Sequence, residues 1–393
     1  MTKLTKFSFS PEEQIVREKI MFLKKDSGTH SPSIQTITEF VPELTINVDA
    51  CFLSNPYATE LYMDYFKNEV IDQGKLRDLL EFYPSQNSVI AGFVSKAINI
   101  DSNKIFIGNG AIEIIQAITH RFAKEKLVIN IPTFSSYYEF ALESLNVNYF
   151  VLEKEADYNL DIEKYIKYIK EVKPDTIVFI NPNNPTGNYI YKKDLIRILD
   201  ELSFVENVII DESFIHFAFE DELYNEITLS KLVNTYKNLY IVKSMSKDFG
   251  IAGIRAGYAI MAEEKVQELL KNGYLWNSNG LAEHFFRLYS RPDFVTKYQV
   301  VRKKYIKETQ KFIKDITKVP GIKVYSSTAN FVLVELPEGI SSETITSILL
   351  IRYSIYVRNC DDKIGLDGNY LRIASRGKEE NYHIVESLKE LFS

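Results

Sequence analysis

The sequence predicts an α/β protein in which a large, mostly parallel, helix-covered sheet is joined to a smaller α+β domain. Two observations carry this. Short apolar runs rich in valine and isoleucine alternate with longer amphipathic stretches through the middle of the chain. Towards the end the pattern changes to strand, strand, helix, strand, strand.

In chain order, "KIFIG" (104–108) reads as a strand entering a glycine turn, and "AIEIIQAITHRFAKE" as the helix that follows. "KLVINIP" (126–132) precedes helix-like "SSYYEFALESL", and "DTIVFINP" (175–182) precedes "KKDLIRILDEL". "NVIIDES" (207–213) and "NLYIVKS" (238–244) complete the series. Further on, "GIKVYSS" and "NFVLVEL" bracket a turn, followed by "SSETITSILLIRYSIYVRNC", "NYLRIAS" and a terminal helix. This places a large domain at 71–275 and a smaller one at 1–70 plus 276–393, with the weakly patterned N-terminal segment wrapped onto the latter. Repeats, low-complexity tracts and long linkers are absent from the sequence.

The chain has 393 residues, 45% hydrophobic and 25% charged, enough for a large core. A net charge of −6 and a pI near 5.6 argue against a nucleic-acid or anionic-membrane surface. Cys51 and Cys360 lie far apart and make neither a disulfide framework nor a metal-ligand spacing. The start, "MTKLTKFSFSPEEQ", lacks an apolar leader, and no apolar run approaches a bilayer span. A soluble cytoplasmic protein is expected.

Several segments could carry chemistry. In "GNGAIEII" (108–115) a glycine turn opens a helix, where backbone N–H groups and the helix dipole favour an anion. Glu113 stands where a dinucleotide fingerprint needs its third glycine, and the GK[ST] of a phosphate-binding P-loop is missing. "INPNNPTGNY" (180–189) turns at the carboxyl end of a buried strand, where open α/β sheets bind ligands. Asp211 ends an apolar strand, so its carboxylate requires a cationic partner. Lys247 follows another apolar strand beside other cations, a setting that makes an amine nucleophilic. Separately these are an ordinary turn, a loop, a helix cap and a solvated lysine. Together they match the needs of pyridoxal phosphate: a lysine for its aldehyde, a carboxylate for its ring nitrogen, and N–H groups, hydroxyls and an arginine for its phosphate.

The SxSK…GxRxGY block at 244–258, with NPNNPTG and the spaced Asp211, resembles the fold-type I pyridoxal-phosphate enzymes of the class I/II aminotransferase group. Within that group the chain is similar to histidinol-phosphate aminotransferase and threonine-phosphate decarboxylase, from "SNPY" at 54 to "LRIASR" at 376. The resemblance implies a seven-stranded type of sheet and pyridoxal 5'-phosphate as cofactor. It implies that Lys247 forms the imine and acts as acid and base, and that Asp211 keeps the ring nitrogen protonated. Asn184 would bond the ring's 3-oxygen, and Phe134 in "PTFSSY" would stack on the ring. Gly110, Ala111, Ser244, Ser246 and Arg255 would hold the cofactor phosphate. Tyr83 in "FYPSQ" would reach the neighbouring subunit's phosphate, implying a homodimer. Arg372 in "YLRIAS" would bind a substrate carboxylate and Arg358 in "YVRNC" a distal phosphate, with Asn55 and Tyr57 of "SNPY" also assigned to substrate.

The chain departs from the family at Phe214, which stands where many relatives have a tyrosine, and at "DSGTHSPSIQ", which replaces a glycine-rich segment near the substrate pocket. The leading expectation is an aminotransferase acting on a small amino compound that carries phosphate or phosphonate, with a 2-oxo acid as partner. The alternative is a decarboxylase of a phosphorylated amino acid. A binding module without catalysis is the third reading, disfavoured by the intact Lys247, Asp211 and Arg255.

Overall fold

The computed structural model describes residues 6–28, 30–221, 227–274 and 277–393. The chain divides into two compact units. The larger is built from Ser54–Asn184 and Asn188–Ile306, the smaller from residues up to Leu53, Pro185–Gly187 and Lys307–Ser393. The larger unit therefore begins at residue 54 where the sequence reading placed 71, because the helix Pro56–Phe66 packs Ala58, Tyr62 and Tyr65 into that unit's core. At its far end it continues to Ile306, and the boundary drawn at residue 275 falls outside the described residues.

The larger unit is organised by a seven-stranded sheet. Its strands are β2 (Ile105–Asn109), β3 (Lys126–Ile131), β4 (Asn146–Val151), β5 (Thr176–Ile180), β6 (Asn207–Asp211), β7 (Leu239–Ser244) and β8 (Ala256–Ile260). Their spatial order is β2-β8-β7-β6-β5-β3-β4. From β7 to β4 every neighbouring pair is parallel, and β8 alone runs antiparallel to both of its neighbours.

Alternation along each strand explains why both faces are covered. Ile105, Ile107, Ile177, Phe179, Leu239 and Ile241 join one core with the helices Asn87–Ile98, Ile162–Val172 and Lys192–Glu201. Phe106, Val178, Ile180, Tyr240 and Val242 point the other way, into a core with the helices Ala111–Phe122 and Glu263–Lys271.

The five apolar runs of the central region become β2, β3, β5, β6 and β7. Two strands were missed. β4 is an edge strand with half-exposed side chains, and β8 lies within the glycine-containing "RAGYAI". "SSYYEFALESL" yields only the short helix Ser136–Glu139, because Asn146 must already pair with Lys126 beside β3.

In the smaller unit, β1 (Val48–Ala50), β9 (Lys323–Val324), β10 (Phe331–Glu335), β11 (Ile355–Asn359) and β12 (Tyr370–Ala374) form a sheet of order β1-β11-β12-β10-β9. β1 is parallel to β11 and the remaining pairs are antiparallel. Val332, Val334, Ile355, Val357, Leu371 and Ile373 face a core closed by the helices Ser342–Tyr353 and Lys378–Phe392. The N-terminal helix Pro11–Asp26 starts at a capping box in which Ser10 and Glu13 satisfy each other's backbone N–H groups. Among the described residues, no helix is long and apolar enough to cross a membrane.

Candidate active site

Strand register gathers the predicted residues of the larger unit at one edge of the sheet. Gly257 on β8 pairs with Gly108 on one side and with Ser244 on the other, and Asp211 pairs with Val242 two residues before Ser244. The glycine turn, the "SMSK" segment, Arg255 and Asp211 thus share the carboxyl ends of β2, β6 and β7.

Close backbone approach explains the glycines here. Gly110 has φ +81° and precedes the helix Ala111–Phe122. A Cβ on Gly110 would collide with the Arg255 guanidinium. One on Gly257 would lie 2.9 Å from the carbonyl carbon of Gly110 and 3.0 Å from the Ala111 nitrogen. Arg255 itself has φ +60°, and its Nη1 donates to the Ala252 carbonyl at 3.2 Å. A guanidinium beside helix N–H groups is a ready anion cradle. Ser244 and Ser246 are buried next to it, and the Ser246 N–H donates to Ser244 Oγ at 3.2 Å.

Asp211 is only 4% exposed. The Tyr137 hydroxyl donates to its Oδ2 at 3.1 Å, and the Ser213 N–H to its Oδ1 at 2.9 Å. Burial pushes the carboxyl above the usual carboxylate range, with these hydrogen bonds opposing. Tyr137 was missed by sequence reasoning, since a tyrosine in a short aromatic run carries no distinguishing spacing.

Lys247 is half-buried on the loop after β7. Asn55 fixes that loop: its N–H donates to the Lys247 carbonyl at 2.9 Å and its carboxamide to the Asp248 carbonyl at 3.3 Å. The Asn55 oxygen also caps the helix Pro56–Phe66. Both ends of this side chain are therefore committed to structure. Tyr57 packs edge-on against Tyr305, with the Lys304 ammonium 3.9 Å from its ring centre.

In the loop after β5, Asn181 bonds Ile190, and Asn183 bonds Pro132 and Thr133, holding the buried Asn184 in place. Phe134 is half-buried on the next strand's loop, Phe214 is buried, and Tyr83 is 89% exposed.

Behind the lysine loop lies a buried network that the sequence did not reveal. Lys243 bonds Asp248 at 2.9 Å and the Glu212 carbonyl at 3.2 Å. His216 Nδ1 contacts the same carboxylate and lies 3.1 Å from the Tyr298 hydroxyl. A carboxylate can only accept, so Nδ1 carries the proton. Burial, reinforced by Lys243, lowers His216 to about 4.

In the smaller unit, Arg358 and Arg372 are direct partners across β11 and β12. Arg358 is buried and pairs with Asp362 at 2.5 Å, while Arg372 Nη2 donates to the Cys51 carbonyl at 2.7 Å. Cys51 and Cys360 are buried free thiols.

Glycines, serines and an arginine able to cradle an anion, a buried carboxylate, and an amine on the next loop are the groups that a pyridoxal-phosphate site needs. The chain belongs to the aminotransferase class I and II family, whose model matches residues 68–388, and pyridoxal phosphate is its cofactor. The residues present fit that group: Asp211, pushed up by burial, suits a protonated ring nitrogen, and the Gly110–Arg255 cradle suits a phosphate.

The chain is 56% identical to the L-serine phosphate decarboxylase Cj1436c of Campylobacter jejuni over 380 residues, 97% of each chain. It is 46% identical to the L-serine phosphate decarboxylase of Sulfurospirillum multivorans, over 94% of each. The solved structure of a decarboxylase from S. multivorans superposes with a TM-score of 0.92 at 44% identity, covering 97% of both chains. These relatives overturn the expectation of an aminotransferase with a 2-oxo acid partner. The resemblance assigns Lys247, Asp211, Arg255 and the NPNNPTG loop to a cofactor common to both chemistries, so they do not reveal which substrate bond breaks.

Proposed function

We propose that this protein is a pyridoxal-phosphate-dependent decarboxylase of a phosphorylated amino acid, with L-serine phosphate as substrate. One observation carries the reading: the 56% identity to an L-serine phosphate decarboxylase along 97% of both chains. The two opposed arginines of the smaller unit support it, since a phosphorylated amino acid brings two anionic groups.

Bound pyridoxal phosphate supplies an electron sink for the pair released when the Cα–carboxylate bond breaks. Gly110 and Ala111 N–H groups, Ser244, Ser246 and Arg255 hold its phosphate. Asp211 holds a proton at the ring nitrogen, with Tyr137 fixing the carboxylate. Asn184 donates to the 3-oxygen, and Phe134 covers the ring. Phe214 packs and donates nothing. The Lys247 amine would hold the aldehyde carbon and would supply the proton that Cα needs once carbon dioxide has left. Arg358 takes the distal phosphate, and Arg372 orients the carboxylate until it leaves as carbon dioxide. Tyr57 lines the substrate's path.

The exposed Leu80, Phe82 and Tyr83 support a homodimer in which Tyr83 serves the partner's site. A cytoplasmic setting suits two buried reduced thiols.

The test is to supply holoenzyme with L-serine phosphate alone and measure carbon dioxide and ethanolamine phosphate. Continuous release without any keto acid is expected, and Lys247→Ala should abolish it while leaving the fold intact. Glutamate formation that requires 2-oxoglutarate, with no carbon dioxide, would overturn the reading.

A further inference from the structure

Basic side chains crowd one region of the smaller unit. Arg358 and Arg372 project from paired positions, and Lys24 arrives from the helix Pro11–Asp26. Lys24 Nζ lies 3.6 Å from Asp362 Oδ2, the same oxygen that Arg358 Nη2 reaches at 2.5 Å. Lys363 follows Asp362 in sequence and interacts electrostatically with Asp362, Arg358 and Arg372. The thiols do not offset this charge, because burial raises both Cys51 and Cys360 above the usual thiol range.

The carboxylate facing these cations is only half used. Asp362 Oδ1 is buried and has no hydrogen-bond partner among the described residues. Lys24 Nζ also donates to the Gly28 and His30 carbonyls at 3.2 and 3.4 Å, but those groups are neutral. A single carboxylate brings one negative charge to this set, whereas a phosphate dianion brings two charges and three acceptor oxygens. Lys24 and Arg358 also line a cavity of about 220 Å³, with Ser31, Tyr356 and Asn359 among its polar walls.

Burial, then Arg358, depress Lys24, with Asp362 opposing. Burial depresses Lys363 as well. Both amines therefore gain most from an added anion. A surface ion pair would show no such depression and would contribute little.

We infer that Lys24 and Lys363 join Arg358 in binding the substrate's phosphate group, and that Asp362 is an internal counter-anion which the phosphate displaces. This rests on the reading that the substrate is phosphorylated. An amino acid without phosphate leaves Asp362 paired and gains none of the three cations, so the exchange selects for the dianion.

Calorimetric titration of holoenzyme with ethanolamine phosphate and with inorganic phosphate tests this, alongside KM for L-serine phosphate. Lys24→Met and Lys363→Met should each weaken ethanolamine phosphate binding about tenfold and raise KM similarly, with kcat little changed. Asp362→Asn should shift inorganic phosphate the other way, tightening it by about tenfold. Bound-cofactor absorbance and thermal midpoint report whether each variant is folded, and if a lysine variant is not, the Asp362→Asn arm decides. Wild-type protein that binds neither phosphate compound would overturn the phosphorylated-substrate reading itself. Wild-type binding that both lysine variants retain in full, or phosphate binding weakened by Asp362→Asn, would overturn only the inference made here.

Discussion

Arg358 and Arg372 oppose each other directly across the β11–β12 ladder, on the face turned away from the sheet's apolar core. Val357, Leu371 and Ile373 alternate with them and fill that core, so both guanidinium groups share the other face. Like charges directly opposed destabilise a sheet. The proposed role in binding an anionic substrate, rather than stability, would account for the pair. Arg372→Met should leave the thermal midpoint unchanged or slightly raised, while kcat/KM for L-serine phosphate falls by about 100-fold or more. A clearly destabilised variant with undiminished turnover would assign Arg372 to the fold alone.

Tyr137→Phe removes the hydroxyl that donates to Asp211 Oδ2 and leaves the ring in its core. The stability change should be small, near 1 kcal/mol. On the proposed role of Asp211 at the ring nitrogen, turnover should fall by about tenfold, because the carboxylate is less well fixed. The absorbance of bound cofactor should shift with it. Unaltered absorbance and unaltered rate together would remove Tyr137 from the site.

Gly110→Ala places a methyl group against the Arg255 guanidinium at a residue whose φ is +81°. Backbone strain there costs about 1–2 kcal/mol, and on the proposed role of Arg255 the displaced guanidinium would lose its hold on the cofactor phosphate. The dissociation constant for pyridoxal phosphate, measured by dialysis and re-addition, should rise by about tenfold or more. Equal affinity in the variant would mean that the cofactor phosphate sits elsewhere.

The site was legible where one residue had to answer to its strand. Asp211 and Lys247 follow apolar runs that can only be buried strands, so their charges demand partners. β8 was hidden because Ala256, Gly257 and Ala259 are small, and their burial comes from neighbours on both sides rather than from their own bulk. Lys24 and Lys363 were hidden for another reason. "LKKD" and "CDDKIG" carry no spacing that marks a binding site, and the N-terminal segment, expected on the smaller domain, is held there by the pairing of β1 with β11. The choice between transamination and decarboxylation was illegible because it depends on which substrate bond is presented to the cofactor, and no single side chain encodes that.

His216 makes the stability of the larger unit depend on pH. Burial, followed by Lys243, holds its imidazole near 4 in the folded protein, against 6.5 for an ordinary histidine. Between these values the unfolded chain takes up a proton that the folded chain refuses, so stability falls as the pH drops below about 6.5. At most this amounts to about 3 kcal/mol once the pH nears 4. Burial raises Asp211 and Glu212, which bind protons in the folded state first and act in the opposite direction. Asp248 is held low by Lys243 and His216 in spite of burial, so its contribution is lost only in more acidic solution. Comparing wild type with His216→Gln cancels Asp211 and Glu212 and leaves the imidazole together with its contact to Asp248. The variant should be the less stable protein at pH 7, having lost the contact to Asp248. The gap between the two urea-unfolding free energies should then narrow by about 2 kcal/mol between pH 7 and pH 5. A gap that stays constant across this range would mean that the folded protein protonates His216 as readily as the unfolded chain does, and that Lys243 and Asp248 hold the lysine loop without it.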